Sequence, residues 1–175
     1  MQIEDGRTGD SAEVDSKYRL KTFSVSESEF LSVNEVGLSY VWNFPAYNYA
    51  AGDTVMWLRN DSNSNLHIHH IVLYCDTATT LSVHKPLNVT PAGTLVTGNN
   101  LNLTSGNEAE ATAYQDETTG VIGPIIQTEY IAANGVLTIF KEDGYQLILG
   151  KNDVIAIDLT TVGTSTFGHI AGFYK

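Results

Sequence analysis

Cysteine and charged residues are scarce in this sequence. The chain has one cysteine, Cys75, so it cannot form an internal disulfide, and a zinc site built on several thiolates is excluded. Charged residues make up 17% of the chain, below the usual ~25%, and Ser, Thr, Asn and Gly take their place. This composition is typical of a β-rich protein whose surface carries hydroxyl and amide groups.

Basic residues are few, with nine Lys and Arg against twenty Asp and Glu and a net charge of −11. A phosphate backbone and an anionic membrane would both repel such a surface. We therefore expect no direct nucleic-acid binding and no membrane binding, and basic protein surfaces are the electrostatically favoured partners. No apolar run approaches the ~20 residues that cross a bilayer. Residues 1–16 also lack the basic-then-apolar pattern of a signal peptide.

Motifs of known catalytic chemistry are missing. The sequence contains no Gly-x-Ser-x-Gly nucleophile turn, no Walker A loop and no Gly-x-Gly-x-x-Gly phosphate loop. Carboxylates are plentiful, but their spacing indicates solvated loops more than an acid–base pair: Glu108, Glu110, Asp116, Glu117 and Glu129. We therefore predict a protein that is not an enzyme, with no catalytic residues and no cofactor.

Three histidines, His67, His69 and His70, form the one cluster that suggests a metal. In a strand, residues 67 and 69 point to the same side, and two imidazoles at that spacing can share one ion, as in a cupin. The next six residues run from Ile71 to Asp76 and place apolar side chains where a cupin needs a carboxylate. We predict no metal site, and His67 and His69 are the residues that would form one. A subunit contact, a solvent-facing position and a pH-sensitive contact stay open as alternatives.

Short segments of strand character recur from residue 53 onwards, separated by turn residues. The longest covers residues 66–75, and residues 154–161 alternate apolar and polar side chains. About nine such segments and no long helical pattern predict an all-β fold, an antiparallel two-sheet sandwich of jelly-roll type. We assign residues 51–175 to this domain. The loop at 98–106, rich in Asn and Gly, is expected to lack a strand.

The first fifty residues are predicted to form an extended N-terminal arm and an aromatic-rich lead-in. Glycine and short polar residues at the start argue against a packed element there. Residues 20–26 alternate apolar and polar side chains, which indicates an extended strand that needs a surface to lie on. That surface belongs to the same subunit or to a neighbour, and Leu20, Phe23 and Val25 are the residues that we assign to partner binding there. Residues 27–35 suggest a short helical turn.

Aromatic side chains crowd the lead-in around Pro45, and Tyr40, Trp42 and Phe44 keep strand spacing. Such residues fill either a core or a subunit contact, and a stacking surface for sugars or bases is the alternative. We assign Tyr40, Trp42 and Phe44 to partner binding.

The opening of the chain resembles a widespread group of tailed-phage virion proteins. The shared pattern is Asp5-Gly6-x-x-Gly9-x-Ser11-Ala12-x-Val14-Asp15, then Arg19-Leu20 and Phe23-x-Val25-x-Glu27. The later segment Leu147-x-Leu149-Gly150-Lys151-Asn152-x-x-Ile155-x-Ile157-Asp158 also fits the penultimate strand pair of that group. The sequence departs from the group at Arg7-Thr8, where Thr-Gly is common.

This resemblance implies a capsid decoration (cement) protein, made in the host cytoplasm and carried on the exterior of the virion. Such proteins commonly form homotrimers with β-sandwich bodies and extended arms. The implied partners are the major capsid protein, neighbouring copies of the same chain, or both. Two alternatives remain: a head-fibre or tail-associated module that binds host glycan through residues 40–49 or 98–107, and a cupin-like metalloprotein.

Overall fold

The computed structural model describes residues 3–4, 11–12, 29–49, 53–86, 93–116, 123–140, 147–161 and 163–175. The strand predicted at residues 20–26, with its contact residues Leu20, Phe23 and Val25, lies outside these ranges.

The described residues form strands and one short helix. In chain order they are β1 (Ile3–Glu4), β2 (Ser11–Ala12), α1 (Glu29–Glu35), β3 (Ser39–Tyr47), β4 (Thr54–Asn60), β5 (Leu66–Cys75), β6 (Thr79–His84), β7 (Thr94–Val96), β8 (Gly98–Asn100), β9 (Ala111–Gln115), β10 (Ile125–Ile131), β11 (Gly135–Ile139), β12 (Leu147–Leu149), β13 (Val154–Leu159) and β14 (Thr166–Tyr174).

Two antiparallel sheets pack face to face. The first has the order β10-β6-β13-β4-β9-β7, and the second has the order β11-β5-β14-β3-β8, with β12 also paired to β5. Eight of these strands, β10-β6-β13-β4 in one sheet and β11-β5-β14-β3 in the other, have the order of a jelly roll. The predicted all-β two-sheet sandwich is therefore confirmed. The segment from β7 to β9 is inserted between β6 and β10 and widens both sheets.

The core lies between the sheets and is filled by alternate residues of each strand. On β5 the core-facing side chains are Leu66, Ile68, Ile71, Leu73 and Cys75. The step from 68 to 71 breaks strict alternation, because Ala171 pairs with His70 and Gly172 with Ile68 across the β14–β5 ladder. His69 is thus the extra residue of a β-bulge, and the bulge leaves both His69 and His70 on the outer side of the sheet.

The predicted partner contacts Tyr40, Trp42 and Phe44 belong instead to this core. Their exposed fractions are 1%, 0% and 1%, and their strand, β3, pairs with both β14 and β8. The assignment to partner binding is wrong for these residues, because alternation identifies a buried face without saying what buries it. The predicted domain boundary at residue 50 also falls too late, since β3 is a central strand of the sandwich.

Two other segments differ from the sequence prediction. The glycine-rich opening contains a short antiparallel ladder, in which Ile3 pairs with Ala12 and Glu4 with Ser11. The loop predicted from residue 98 begins with β8, which pairs with Tyr40–Trp42 of β3. The helical turn predicted at residues 27–35 corresponds to α1.

Gly168 lies in β14 where the packing leaves no room for a side chain. A Cβ atom there would collide with the backbone oxygen of Val72 and lie 2.6 Å from Cε of Met56. We expect Gly168→Ala to lower the free energy of unfolding by about 1–3 kcal/mol, because the backbone cannot shift without breaking the β14–β5 ladder. Urea unfolding measures the effect. Gly106→Ala is the matched control, since an added Cβ there meets nothing within 4 Å, and an equal loss in both variants would contradict the explanation.

Candidate functional site

The outer face of the second sheet carries apolar side chains where a sandwich normally carries polar ones. The ladders place Val136, Tyr74 and Phe167 side by side across β11, β5 and β14. The neighbouring row contains Val72 and His169. A sheet that is apolar on both faces needs a second covering layer.

Helix α1 covers one half of this face. The ring of Phe30 stacks on His69 with centroids 4.1 Å apart and meets Phe173 edge-on at 6.0 Å. His67 stacks on the other side of Phe173 at 5.1 Å. The Ser39 hydroxyl donates a 3.5 Å hydrogen bond to the carbonyl of Phe30. The helix therefore buries Phe173 completely, although this side chain points away from the core.

The other half of the face is an open groove. Its volume is about 810 Å³, and it is lined by residues 43–46, Val72, Tyr74, Val136 and residues 167–169. The rings of Tyr74 and Phe167 stack on its floor with centroids 4.6 Å apart. Val136 is 67% exposed and Phe167 is 42% exposed. The groove therefore presents aliphatic and aromatic surface to solvent, at an energetic cost that a bound partner would remove.

Three histidines lie along the boundary between the covered half and the groove. Nδ1 of His69 is 2.7 Å from Nδ1 of His70, and Nε2 of His70 is 3.0 Å from Nε2 of His169. We call these three residues the histidine cluster. In each contact one ring nitrogen donates and the other accepts, so the tautomers of the three rings depend on one another.

Burial and charge repulsion disfavour a positive charge on His70. Desolvation, together with the positive charge that His69 and His169 would carry, lowers the pKa of His70 to about 4. Desolvation also lowers the pKa of His169. A positive charge on His70 is therefore less favourable in the folded protein than in water.

The described ranges hold no group of three or more His, Cys, Asp or Glu side chains arranged to bind a metal ion. His70 uses both of its nitrogens in contacts with His69 and His169, so these rings do not converge on one point. Of the two predicted candidates, His67 packs against Phe173, and His69 packs against Phe30. The structure thus brings His70, and not either predicted candidate, into contact with His169, a partner from a distant strand that spacing in sequence does not reveal.

A second set of titratable side chains in contact with each other lies on the first sheet. The Thr54 hydroxyl donates to Asp158 at 3.0 Å, and Nε2 of His84 is 3.5 Å from the same carboxylate. Burial raises the pKa of Asp158, which these two contacts partly offset. Thr54 bonds the carboxylate and not the imidazole, so the arrangement does not activate the hydroxyl as a nucleophile.

Two carboxylate contacts lie near the ends of β5 and β3. Asp76 follows β5 and accepts hydrogen bonds from the Thr164 hydroxyl at 2.6 Å and the Ser165 amide at 3.1 Å. These bonds lower its pKa. At the end of β3, a hydrogen bond to Asp116 raises the pKa of Tyr47, and the charge of Asp53 adds to the effect. The groove therefore runs from the histidine cluster toward the end of β5 at Asp76.

Sequence analysis missed the groove residues Val72, Tyr74, Val136 and Phe167. A signal for them exists, because residues 71–75 form an unbroken apolar run (Ile-Val-Leu-Tyr-Cys) within β5. Such a run indicates a strand buried on both faces, whereas a strand with one solvated face alternates.

No protein-family model, curated protein or solved structure matches this chain. The class of protein is defined by the fold and the site together: an all-β jelly roll with an apolar outer groove. In the part of the chain that the structure describes, no helix has the length and apolar character needed to span a membrane.

Proposed function

We propose that this protein is a non-enzymatic capsid decoration protein of a tailed phage, which binds the outer shell and stabilises the assembled head. The observation that carries the proposal is the open apolar groove on the outer face of the second sheet. Phe167 is 42% exposed and lies beside Val136, which is also exposed. Exposed apolar side chains that lie together are typical of a surface that another subunit covers.

The fold alone does not choose between the candidate functions. Double-sheet jelly rolls occur among viral capsid proteins, lectins and cupins, which are the three classes that the sequence left open. The groove lining favours the first class. Its polar side chains are Asn43, Tyr74 and His169 among mostly apolar neighbours, which suits the side chains of a protein segment better than the many hydroxyls of a sugar.

The charge of the molecule supports the same class of partner. A net charge of −11 steers the protein toward basic protein surfaces and away from nucleic acid. A contact of standard size, about 1,600 Å², stabilises a shell through mass action, because each bound copy favours the assembled state over the free subunits. Repetition over the shell multiplies this effect. We propose the major capsid protein and neighbouring copies of this chain as partners, in a homotrimer on the capsid exterior.

Occupancy on purified phage heads tests the proposal. Burying a fully exposed aromatic side chain contributes about 1.5–3 kcal/mol. Phe167 is 42% exposed, so its burial by a partner contributes about 0.6–1.3 kcal/mol, and Phe167→Ser is expected to weaken binding about three- to ninefold. Leu103→Ser is the matched control, because Leu103 is 94% exposed and lies in a loop outside the groove. Titration of each variant onto heads stripped of the protein, read by gel densitometry, measures the change. Equal occupancy of Phe167→Ser and wild type would contradict the proposal.

The stacked pair Tyr74 and Phe167 favours a second candidate, a virion module that binds host glycan, because exposed aromatic faces also stack on sugar rings. A glycan array separates the two. A decoration protein gives no binding there, whereas hits that disappear in Phe167→Ser would support the glycan-binding module.

A further inference from the structure

We propose that the facing Nε2 atoms of His70 and His169 bind one divalent transition-metal ion, with His69 as the partner that orients His70. This inference goes beyond the proposed function and does not depend on it, because the site lies at the rim of the groove and leaves the groove floor open. It also differs from the sequence prediction, which expected no metal site and gave His67 and His69 as the pair that would form one.

The distance between the two Nε2 atoms matches the spacing of two ligands on one ion. It is 3.0 Å. Imidazole nitrogens bind zinc at about 2.0–2.1 Å, so two of them at right angles or at the tetrahedral angle lie about 2.8–3.4 Å apart. The Nδ1 atoms of His69 and His70 are 2.7 Å apart, which is too short for two ligands of one ion and suits a hydrogen bond. The distances thus divide the histidine cluster into a ligand pair and a supporting contact.

The two ligand rings come from neighbouring strands in the middle of the second sheet. His70 of β5 pairs with Ala171 of β14, and Val72 pairs with His169, so the two histidines occupy diagonal positions about 7–8 Å apart. The bulge at His69 leaves His70 on the same outer side as His169. Because the ladder holds both strands, a small turn of each ring directs both Nε2 lone pairs at one ion.

The contact between His69 and His70 suits the supporting shell of a metal site. When Nε2 of His70 binds an ion, the ring proton is on Nδ1, which donates to Nδ1 of His69. A metal-bound histidine almost always donates its other N–H group to such a partner, which fixes the ring orientation and raises the basicity of the ligand. The ring of Phe30 stacks on His69 with centroids 4.1 Å apart and holds the partner in place. His69 is therefore a positioning residue.

The two ligand rings are available to a hydrated ion near neutral pH. Both are partly exposed, and His169 lines the open groove. Burial and charge repulsion lower the pKa of His70 to about 4, so its ring is neutral at pH 7, as metal binding requires. Imidazole suits Zn²⁺, Ni²⁺ and Cu²⁺, whereas Mg²⁺ and Ca²⁺ prefer oxygen ligands. Water completes the coordination shell, and the ion ties β5 to β14.

Calorimetric titration of Zn²⁺ into the full chain at pH 7.5, after treatment with a chelator, tests the site. One ion per chain is expected. His70→Gln and His169→Gln are each expected to lower the affinity at least about tenfold, because losing a ligand costs more than losing a supporting partner. His84→Gln is the matched control and is expected to keep the wild-type affinity, since His84 lies on the other sheet beside Asp158. Unfolding midpoints of the metal-free variants check that each is folded.

Two substitutions of His69 separate its orienting role from its packing against Phe30. The amide oxygen in His69→Gln can still accept the N–H group of His70, so this variant is expected to bind Zn²⁺ within about threefold of wild type. His69→Leu has no acceptor and is expected to bind at least about tenfold more weakly. Equal affinities in these two variants would overturn the orienting role.

Three results would overturn the metal site itself. The first is the absence of Zn²⁺ binding by the folded wild-type chain. The second is wild-type affinity in either His70→Gln or His169→Gln, which would break the ligand pair. The third is a loss of affinity in His84→Gln as large as that in His70→Gln, which would place the ion on the first sheet.

Discussion

Replacing Trp42 with alanine is expected to lower the free energy of unfolding by about 3–5 kcal/mol. The indole has no exposed surface and packs beside Tyr40 with ring centroids 6.3 Å apart. It also lies so close to Gly98 that a Cβ atom there would be 2.5 Å from its Nε1 atom. Its removal therefore opens a cavity where β3 meets β8, and the surrounding strands cannot close it.

Urea denaturation followed by far-ultraviolet circular dichroism measures this loss for Trp42→Ala. Leu103→Ala is the matched control, since Leu103 is 94% exposed and its truncation is expected to change stability by less than about 0.5 kcal/mol. A Trp42→Ala variant that unfolds like wild type but no longer binds its partner would restore the partner-binding role that the sequence suggested.

The protein is expected to lose stability through His70 as the pH falls from 7.5 to 5. The pKa of His70 is about 4 in the folded state and about 6.5 in the unfolded chain. Between about pH 6.5 and 4, His70 is therefore protonated in the unfolded chain but neutral in the folded protein, so acid favours unfolding. The full shift corresponds to about 2 kcal/mol at pH 5, and solvent screening of a half-exposed ring reduces it to about 1 kcal/mol.

The comparison that isolates this effect is His70→Gln against wild type, with urea unfolding at both pH values. Glutamine keeps hydrogen-bonding groups but does not titrate. The free energy of unfolding of His70→Gln is therefore expected to fall about 1 kcal/mol less than that of wild type between pH 7.5 and 5. Asn99 lies on the same outer face but away from the histidine cluster. Asn99→Gln is therefore expected to lose as much free energy of unfolding between pH 7.5 and 5 as wild type does. If the free energy of unfolding fell by the same amount between pH 7.5 and 5 in all three proteins, His70 would have the same pKa in the folded and unfolded states.

The strands of the sandwich were largely predictable because most of them alternate. Residues 154–159 alternate, and the structure places β13 there. Residues 66–75 break alternation at His69 and at the apolar run 71–75, but their length and apolar content still predict the strand β5. The weak strand β8 was not predictable, since Gly98, Asn99 and Asn100 have low strand propensity. It forms because β3 offers it an edge and because glycine is the residue that fits against Trp42.

The site was less predictable than the fold, because it depends on which face of each strand is covered and by what. Alternation marks Tyr40 and Trp42 as buried, yet it does not separate a core from an interface. The bulge at His69 depends on the register between β5 and β14, which no local pattern encodes. Contact between His70 and His169 likewise arises from pairing across the sheet.

The pairing of β3 with β14 has a consequence for how the molecule is made. Ser39 pairs with Phe173 and Tyr40 with Gly172, so the centre of the second sheet joins the first strand of the jelly roll to its last. The ribosome synthesises β3 long before β14, so the side chain of Trp42 cannot be buried in the complete second sheet until β14 has been made. Such distant pairing slows folding to the millisecond-to-second range. The outer groove is complete only after the same event, since Phe167 and His169 belong to β14.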